Sequence, residues 1–545
     1  MISPEYLIHP LAPAFLAGFF LYVETHFRIA RLPSRYFARR AEILFDLPHR
    51  LAPGRTLPLF LLIKDADRYP VELVQIQVAI KRGDEILGDE TIDLNGELVR
   101  QALWWRTFQL QLPQVDGALR VEPVLVCHQA GRLRRIRVDD YATLSHAPLK
   151  VWRDADDLPG SCHWCFGDLH YHSHLTSDQV EFGAPPQAAA AAATAMGLEF
   201  FAVTDHSYDL DDLWEEYLRA DPKLGKWRWL QEFVRSWNED GGQPVILAGE
   251  ELSAGNSRGR NVHFLLLDEP EFYPGWGDSA EKWLHIRPQW RIKAVLERLT
   301  GASLAFAAHA ESRPPRLQRL FLGRDHWRDA DYAHARLNGV QMWNSLHDRS
   351  LKRGLAVWKR LLLSGRRPVL IGGNDAHGDF GRWRQIALPH LTLQEKEEHL
   401  FGQVRTGVAR PSGRLTVSAL LSSLRAGRCL VTSGPAATIA LTGPGQARWE
   451  TGDTCTAPPH ALVIAAESTP AFGPLTAVTL CIGDLRQKKE TRRSLPIGTA
   501  GSMSWRLEET APALPGHGYL RLEVSSRHHA TTCRCFTNPL YLNWG

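Results

Sequence analysis

The stretch PPQAAAAAATAMGLEFFAVTDH, residues 185–206, decides the predicted fold of the central part of the chain. Proline in the first turn, a run of alanines and Gly197 just past the end predict a helix over Pro185–Met196. The apolar segment Glu199–Thr204 predicts a buried strand directly after it, and His206 follows where that strand ends. A helix joined closely to a buried strand is the repeating unit of an α/β fold.

The same alternation continues from about residue 161 to residue 430. The further predicted helices are Trp227–Asn238, Arg291–Leu299 and Leu351–Leu363, and the further predicted strands are Pro244–Ala248, Ser303–Ala308 and Pro368–Gly372. Repeated strand–helix units predict a parallel sheet or barrel, in which functional side chains lie at the carboxyl ends of the strands.

The two ends of the chain lack this alternation and are rich in predicted strands. Before the central region these are Ala41–Leu47, Thr56–Ile63, Val71–Ile80 and Leu119–Cys127. After it they are Thr438–Leu441, Ala461–Glu467, Ala477–Ile482, Met503–Leu507 and Tyr519–Val524. Short strands divided by turn residues are typical of β-sandwiches. We therefore predict a β-rich domain over 1–160, an α/β domain over 161–435 and a second β-rich domain over 436–545.

Composition excludes some classes of partner. The 63 basic and 60 acidic residues give a net charge of +3, and no long basic run indicates nucleic-acid binding. The apolar stretch Leu11–Val23 is too short to span a bilayer and has no basic segment before it. It predicts either the first strand or a buried segment of a soluble domain, in a cytoplasmic protein without a membrane partner. The pair Cys162 and Cys165 has no matching second pair, which favours reduced thiols.

Histidines and carboxylates recur near five successive predicted strands. In GDLHYHSHLTSD, residues 167–178, His170 and His172 are two apart on a strand and point to one face, where both can reach one ion. The remaining candidates are Asp178, His206, Glu250 or Glu251, His263, His309, Asp375 and His377. Adjacent glutamates on a strand face opposite ways, so only one of Glu250 and Glu251 points into a shared site and the other is expected to be solvated.

This set is difficult to explain by packing alone. Unpaired carboxylates and imidazoles are costly to bury, and bound metal ions remove that cost. The sequence therefore predicts a cluster of two or three divalent cations, with Zn, Mn or Fe as the candidate metals.

Five stretches resemble, in order and context, the motifs of the polymerase and histidinol phosphatase (PHP) superfamily. They are GDLHYHSHLTSD (167–178), FFAVTDH (200–206), AGEELS (248–253), FAAHA (306–310) and GGNDAHG (372–378). The most similar branch is that of the metallohydrolases that resemble carbaryl hydrolase, and the resemblance covers roughly residues 161–435. It implies a distorted (β/α)7 barrel with a metal cluster at its mouth, flanked by β-sandwich-like domains.

The resemblance also implies a ligand set. One ion would be held by His170, His172, Glu251 and Asp375, and Glu251 would bridge to a second ion on His263 and His309. Asp178, His206 and His377 match the ligands of a third ion. Ala310 stands where the family often has proline, and Gln179 where glycine usually follows the aspartate. Asp178 replaces a histidine of trinuclear members, so it is either a ligand of the third ion or a proton-transferring carboxylate.

The expected activity is hydrolysis of a small-molecule ester by a hydroxide that bridges two cations. Asp178 and His206 are the candidate general acids. A phosphoester is the preferred substrate class, with Arg313, Arg382 and Arg384 as candidate anion-binding residues. A carboxylic or carbamate ester is the alternative, for which an aromatic pocket would be drawn from Trp276, Trp283, Trp290, Trp327, Trp343 and Trp383. A metal-stabilised scaffold or a binding protein without activity is the third reading.

Overall fold

The computed structural model describes most of the chain. The described residues are 40–140, 146–176, 183–214, 219–276, 287–314, 316–321, 323–377, 380–382, 385–388, 391–394, 399–498 and 501–544. The predicted segment Leu11–Val23 lies outside them, as do Asp178, Trp283, Trp383 and Arg384. Across the described ranges no helix is both long enough and apolar enough to cross a membrane.

The strands before residue 160 form two sheets. They are β1 (Glu42–Asp46), β2 (Arg50–Leu51), β3 (Leu57–Lys64), β4 (Val71–Arg82), β5 (Glu85–Val99), β6 (Leu103–Leu110), β7 (Gly117–Gln129), β8 (Arg132–Arg137) and β9 (Leu149–Arg153). One sheet has the order β1-β3-β6, and the other has the order β2-β9-β7-β4-β5 with β8 beside β7. Apolar side chains of both sheets, such as Leu61 and Ile76, share one buried core, so the sheets pack face to face.

The central region begins with a buried strand that carries the first histidine motif. Its elements are β10 (Trp164–His172), α1 (Pro186–Met196), β11 (Phe200–Val203), α2 (Ser207–Leu210), α3 (Gly225–Glu239), β12 (Val245–Gly255), β13 (Asn261–Leu267), α4 (Ile292–Arg298), β14 (Leu304–Ala307), α5 (Arg316–Phe321), β15 (Gly339–Trp343), α6 (Leu351–Leu363), β16 (Val369–Gly372), β17 (Ala376–His377), β18 (Gln385–Leu388), β19 (Leu391–Gln394), β20 (Arg405–Ala409), α7 (Val417–Ala426) and β21 (Cys429–Thr432). Gly197 ends α1 in the left-handed conformation, at φ 79°, as its position after the alanine run predicts.

The strands of the central region form a curled, mixed sheet. Its order is β16-β15-β14-β13-β12-β11-β10-β20-β21, and the short strand β17 pairs with β10. Neighbours are parallel at β10–β11, β11–β12, β14–β15 and β15–β16. They are antiparallel at β12–β13, β13–β14, β10–β20 and β20–β21.

The prediction of a distorted (β/α)7 barrel is therefore wrong. Strands joined in parallel need a crossover of about a dozen residues or more. Only residues 256–260 separate β12 from β13, so these two strands form a hairpin instead of a strand–helix–strand unit. The sheet then continues through β20 and β21, and the result is a mostly-β fold around a half-barrel.

The C-terminal strands extend the same sheet. They are β22 (Ala436–Thr442), β23 (Arg448–Glu450), β24 (Thr454–Cys455), β25 (Ala461–Glu467), β26 (Leu475–Asp484), β27 (Lys489–Leu495), β28 (Ser504–Thr510), β29 (His517–His528), β30 (Thr531–Thr537) and β31 (Leu540–Asn543). Strand β30 pairs with β21, and a second sheet has the order β23-β22-β25-β28. The amide of Asn538 donates to the carbonyls of Leu370 and Cys429, which fastens the C-terminal strands to β16 and β21.

A buried carboxylate fixes the strand that carries the first two histidines. Asp168 accepts hydrogen bonds from the backbone amides of His170, Asn374 and Gly402 and from the side-chain amide of Asn374. Burial raises the pKa of Asp168 to about 6 against these hydrogen bonds. Asp168 thus joins β10 to the segment that carries Asp375.

Candidate metal centre

Glu251 lies at the middle of a cluster of histidines and is itself fully buried. Five imidazole nitrogens lie within 3.4 Å of its carboxylate oxygens. The distances to Oε1 are 2.7 Å from Nδ1 of His263, 3.0 Å from Nε2 of His309 and 3.4 Å from Nε2 of His170. The distances to Oε2 are 3.0 Å from Nδ1 of His206 and 3.4 Å from Nε2 of His172.

Asp375 completes one group of four ligands. Its Oδ1 lies 2.9 Å from Nε2 of His172 and 3.3 Å from Nε2 of His170, and those two nitrogens are 3.2 Å apart. Two ligands of a tetrahedral ion at about 2.0–2.1 Å from it lie roughly 3.3 Å apart. The spacing of His170, His172, Glu251 and Asp375 therefore fits a single ion.

Two further groups share members with the first. His206, Glu251 and His263 form one, and His172, His206 and His377 form the other, with ligand atoms within 4.8 Å of one another in each group. The rings of His172 and His377 stack with centroids 4.1 Å apart. Shared members are what a cluster of two or three ions requires, because a bridging ligand contacts more than one ion.

Local backbone geometry aims two of the ligands. His309 and Asp375 have φ of 27° and 53°, in the left-handed region that is uncommon for residues other than glycine. Such a conformation persists only where the surrounding structure imposes it, and it is found most often at functional sites. Gly373 allows the close approach of this segment to β10, since a Cβ there would lie 2.7 Å from the Cβ of His170.

Polar side chains behind the cluster orient its ligands. Nδ1 of His170 donates to Oε1 of Gln341 at 2.9 Å, which leaves Nε2 directed at Glu251. The amide of Gln341 donates to Asn344 at 2.6 Å, and Asn344 donates to Oδ2 of Asp375 at 3.2 Å. Metal-binding histidines usually have such a partner on the second ring nitrogen. Sequence reasoning missed Gln341 and Asn344 because neither belongs to a recognisable motif.

The electrostatics of the cluster favour positive charge. Burial acts to raise the pKa of Glu251, but the imidazoles of His263 and His170 hold it well below its usual range. Burial likewise opposes charge on His172, but hydrogen bonds to Asp375 and Glu251 raise the pKa of His172 to about 10. The carboxylates therefore stay ionised and attract either protons or cations that replace those protons.

The two adjacent glutamates have different surroundings. Glu251 faces the histidines, whereas Glu250 faces the opposite side of β12 and accepts a hydrogen bond from Ser207 at 3.1 Å. The expectation that the second glutamate is solvated is wrong, because Glu250 is fully buried. The strand is covered on both faces, so the side away from the cluster does not open to water.

Of the predicted ligands, eight lie together: His170, His172, His206, Glu251, His263, His309, Asp375 and His377. Asp178 lies outside the described residues. Nδ1 of His377 lies 3.1 Å from the backbone carbonyl of Asp375 and donates to it, which leaves Nε2 of His377 among the other ligand atoms.

The predicted anion-binding arginines that the structure describes lie in different surroundings. Arg382 is buried in an ion pair with Asp139, so it is not available to a substrate. Arg313 lines a cavity of about 150 Å³ together with His263 and His309. Arg324 lines the same cavity, and its Nη2 lies 2.9 Å from Nε2 of His263. No motif in the sequence singles out Arg324.

The described tryptophans mostly serve the core. Trp327 and Trp343 are buried, and Nε1 of Trp327 donates to the carbonyl of His263. Trp290 stacks under the guanidinium of Arg298, and Trp276 donates to Asp211 at 3.0 Å. Among them only Trp327 lines the cavity beside His263, and it does so from the core side.

The two cysteines of the predicted thiol pair lie in different surroundings. Cys165 is buried within β10, whereas Cys162 is exposed and lies with His163 close to Glu467. All eight cysteines of the chain are among the described residues, and none forms a disulfide.

Comparisons with known proteins do not assign this chain to a family. No family model and no curated protein matches the chain. A β-glucosidase from Listeria innocua in complex with glucose is 20% identical over 18% of this chain and 16% of its own, with a TM-score of 0.11. A calcium-binding mutant of β-glucuronidase 2 from Bacteroides uniformis is 11% identical over 92% of this chain and 61% of its own, with a TM-score of 0.18.

A glycosyl hydrolase family 2 member from Bacteroides cellulosilyticus is 11% identical over 92% of this chain and 64% of its own, with a TM-score of 0.17. This chain thus spans less than two thirds of each of these three proteins. Likenesses with TM-scores this low carry no argument about fold or activity.

Proposed function

We propose that this protein is a metal-dependent hydrolase that acts on phosphoesters. The observation that carries the proposal is the position of Glu251, whose two carboxylate oxygens contact five imidazoles, with Asp375 completing the cluster. A buried group of this composition exceeds what one four-coordinate ion can use. It suits two or more cations bridged by Glu251.

Divalent cations in such a site lower the pKa of bound water and stabilise the negative charge that develops on the substrate. The residues of the chain hold and orient that site. Gln341 fixes the tautomer of His170, and Asn344 fixes Asp375. Two of the cluster's histidines, His263 and His309, line a cavity that a substrate can enter.

His206 is the described candidate for transferring a proton to the leaving group. Its Nδ1 lies 3.0 Å from Glu251, and its ring stacks on Tyr208 with centroids 4.6 Å apart. Tyr208 is fully buried and therefore holds the ring of His206 in a single orientation. A ring fixed in this way is suited to moving a proton at a defined position.

The cavity beside the cluster supports a phosphoester as substrate. It is lined by His263 and His309 and by two arginines, Arg313 and Arg324. Guanidinium groups bind phosphate oxygens with two parallel hydrogen bonds. Among the residues that line this cavity, no open aromatic face favours an aryl ester.

A side-by-side assay tests the proposal. The full chain is stripped of metal, reloaded with Zn, Mn or Fe, and given nitrophenyl phosphate, bis(nitrophenyl) phosphate, nitrophenyl acetate and an aryl carbamate. We expect turnover of a phosphoester that is lost on metal removal and absent from a His170→Ala variant. Metal-dependent turnover confined to the acetate and the carbamate would contradict the substrate class. No turnover of any of the four would contradict the hydrolase proposal and favour a scaffold.

A further inference from the structure

A second cavity, with a mostly apolar wall, lies where the N-terminal strands, the central sheet and the C-terminal strands meet. Its volume is about 190 Å³. Residues from all three regions line it, including His49, Trp152, Arg405, Ser433 and Phe472. This volume is below the ~300–1,000 Å³ of pockets for drug-sized ligands, so it fits a small group.

Arg405 is the central charge of this cavity. Its side chain is 2% exposed, and Nη1 donates to the carbonyl of Gly402 at 3.1 Å. The Nε and Nη2 groups meet no hydrogen-bond acceptor among the described residues. These two groups point in parallel from one edge of the guanidinium, the arrangement that binds two oxygens of one anion.

The charged groups near Arg405 form no hydrogen bond with its Nε or Nη2. Arg50 is held by its own partners, because it pairs with Asp154 and donates to the carbonyls of Met196 and Asp156. Asp154 also accepts from Nε1 of Trp152 at 3.0 Å. Asp154 is therefore committed to Arg50 and Trp152. Asp154, Cys533 and Asp168 act on Arg405 through their charge, but none of them hydrogen-bonds its Nε or Nη2. Burial, together with the charge of Arg50, lowers the pKa of Arg405 to about 9.

Phe472 and Ser433 are two further residues of the cavity wall beside the guanidinium. The ring of Phe472 lies 5.1 Å from Cζ of Arg405 and covers one of its faces. The hydroxyl of Ser433 accepts from the backbone amide of Arg534 at 3.1 Å and hydrogen-bonds the thiol of Cys533, which also lines the cavity. If the hydroxyl turns from this thiol toward the cavity, it adds one donor to the two on the edge of the guanidinium.

We propose that this cavity binds a phosphate group, either inorganic phosphate or the phosphoryl group of a small molecule, on the Nε–Nη2 edge of Arg405. A tetrahedral oxyanion has enough oxygens for the guanidinium and for the hydroxyl of Ser433. The bound charge would also remove the cost of burying an unpaired guanidinium. This site is separate from the metal centre, and it stands whether or not the proposed activity is correct.

A titration of the full chain with inorganic phosphate tests the site. The variants are Arg405→Gln, Arg405→Lys, the metal-ligand variant Asp375→Ala, and Arg448→Gln as a control at an exposed arginine that pairs with Glu450. We expect wild type, D375A and R448Q to bind one phosphate at this cavity with equal affinity, whatever phosphate the metal centre binds in addition. We expect R405K and R405Q to lose at least about tenfold in affinity, since hydrogen bonds to a charged group are at stake.

Titrations with two further anions test which kind of ligand the cavity binds. Methylphosphonate, which cannot be hydrolysed, reports whether the cavity accepts a substituted phosphoryl group, and acetate reports whether a carboxylate suffices. Binding of methylphosphonate at least as tight as that of phosphate assigns a phosphorylated small molecule, and weaker binding assigns free phosphate. Acetate binding as tight as phosphate would overturn the assignment to phosphate.

The decisive outcomes do not depend on the folding of the Arg405 variants. A crystal structure of the wild-type chain with tungstate should show the heavy anion within hydrogen-bond distance of Nε and Nη2 of Arg405. Tungstate found only at the metal centre would overturn the proposal. So would phosphate binding that D375A abolishes and R405Q retains, or no binding of millimolar phosphate by the wild-type chain.

Discussion

Nδ1 of His263 lies 2.7 Å from Oε1 of Glu251. His263 pairs in register with Ser253 in the β12–β13 hairpin, so its side chain lies diagonally across from Glu251 on the same face. This antiparallel pairing, which a regular strand–helix–strand barrel lacks, brings a histidine from the neighbouring strand onto the carboxylate. Together with His206 at Oε2, this contact gives each carboxylate oxygen of Glu251 an imidazole neighbour.

Glu251→Gln should remove the bridge without changing the volume of the side chain. We expect a loss of at least one equivalent of metal and a fall in turnover of about 100-fold or more, beyond the ~10–100-fold effects of losing residues behind the ligands. Glu250→Gln is the matched control, because Glu250 faces Ser207 and not the histidines. Metal content is measured by elemental analysis beside turnover. Equal losses in the two variants would contradict the assignment of Glu251 as the bridge.

Gln341→Leu should weaken metal binding without removing a ligand. The substitution deprives Nδ1 of His170 of its acceptor, so we expect metal affinity to fall by about 10–100-fold. Gln341→Glu keeps an acceptor oxygen at this position and should retain more of the affinity. Competition with a chromogenic chelator measures both variants. Wild-type affinity in Gln341→Leu would show that Gln341 does not orient His170.

Arg324→Gln, assayed at saturating metal because Arg324 also contacts His263, should weaken binding of anionic substrates more than that of neutral ones. Arg324 lines the cavity beside His263, and the loss of a charged hydrogen bond should raise KM for nitrophenyl phosphate by about tenfold or more. KM for the neutral nitrophenyl acetate should not change if it is turned over. Arg319→Gln, at an exposed position of α5, is the control. An equal effect of both variants on the phosphoester would place the anion elsewhere.

His49 should make the free energy of unfolding depend on pH. Burial, together with the charges of Arg405 and Arg50, lowers the pKa of His49 to about 4. The unfolded chain takes up this proton near pH 6.5 and the folded chain only near pH 4. The folded state is therefore destabilised as the pH falls from 6.5 to 4, by about 3 kcal/mol in total.

The measurement compares urea unfolding of the wild type and of His49→Gln between pH 4 and pH 7 in phosphate-free buffer. The difference between the two free energies should change in favour of the variant as the pH falls. A constant difference across this range would show that His49 does not titrate as its burial implies.

Among the described residues, each helix and strand predicted from local sequence overlaps an element of the structure. The predicted helix Leu351–Leu363 has the bounds of α6, and the predicted strand Ala461–Glu467 has those of β25. These segments carry their own periodicity, and their ends are marked by turn residues. The direction of β13 is not encoded in this way. This strand is buried along its whole length, so it lacks the alternation typical of antiparallel strands although it is antiparallel to both neighbours.

At the candidate site, too, some features could be predicted from local sequence and others depend on tertiary packing. The spacing of His170 and His172 predicts that both face one side of a strand, and their rings do meet at the cluster. The contact between Arg382 and Asp139 joins residues that are 243 positions apart, so no local pattern could remove Arg382 from the predicted substrate site. The same holds for Arg405, whose isolation depends on the packing of three regions.

The metal content of the purified chain tests the central claim most directly. The protein is prepared without chelators, remetallated, and measured for Zn, Mn and Fe beside a Cys162→Ser variant. We predict a total of at least two equivalents per chain in both, because the ligands around Glu251 exceed the needs of one ion. A loss of metal in Cys162→Ser would assign that metal to the group of Cys162, His163 and Glu467 instead. Less than one equivalent in the remetallated wild type would contradict the cluster.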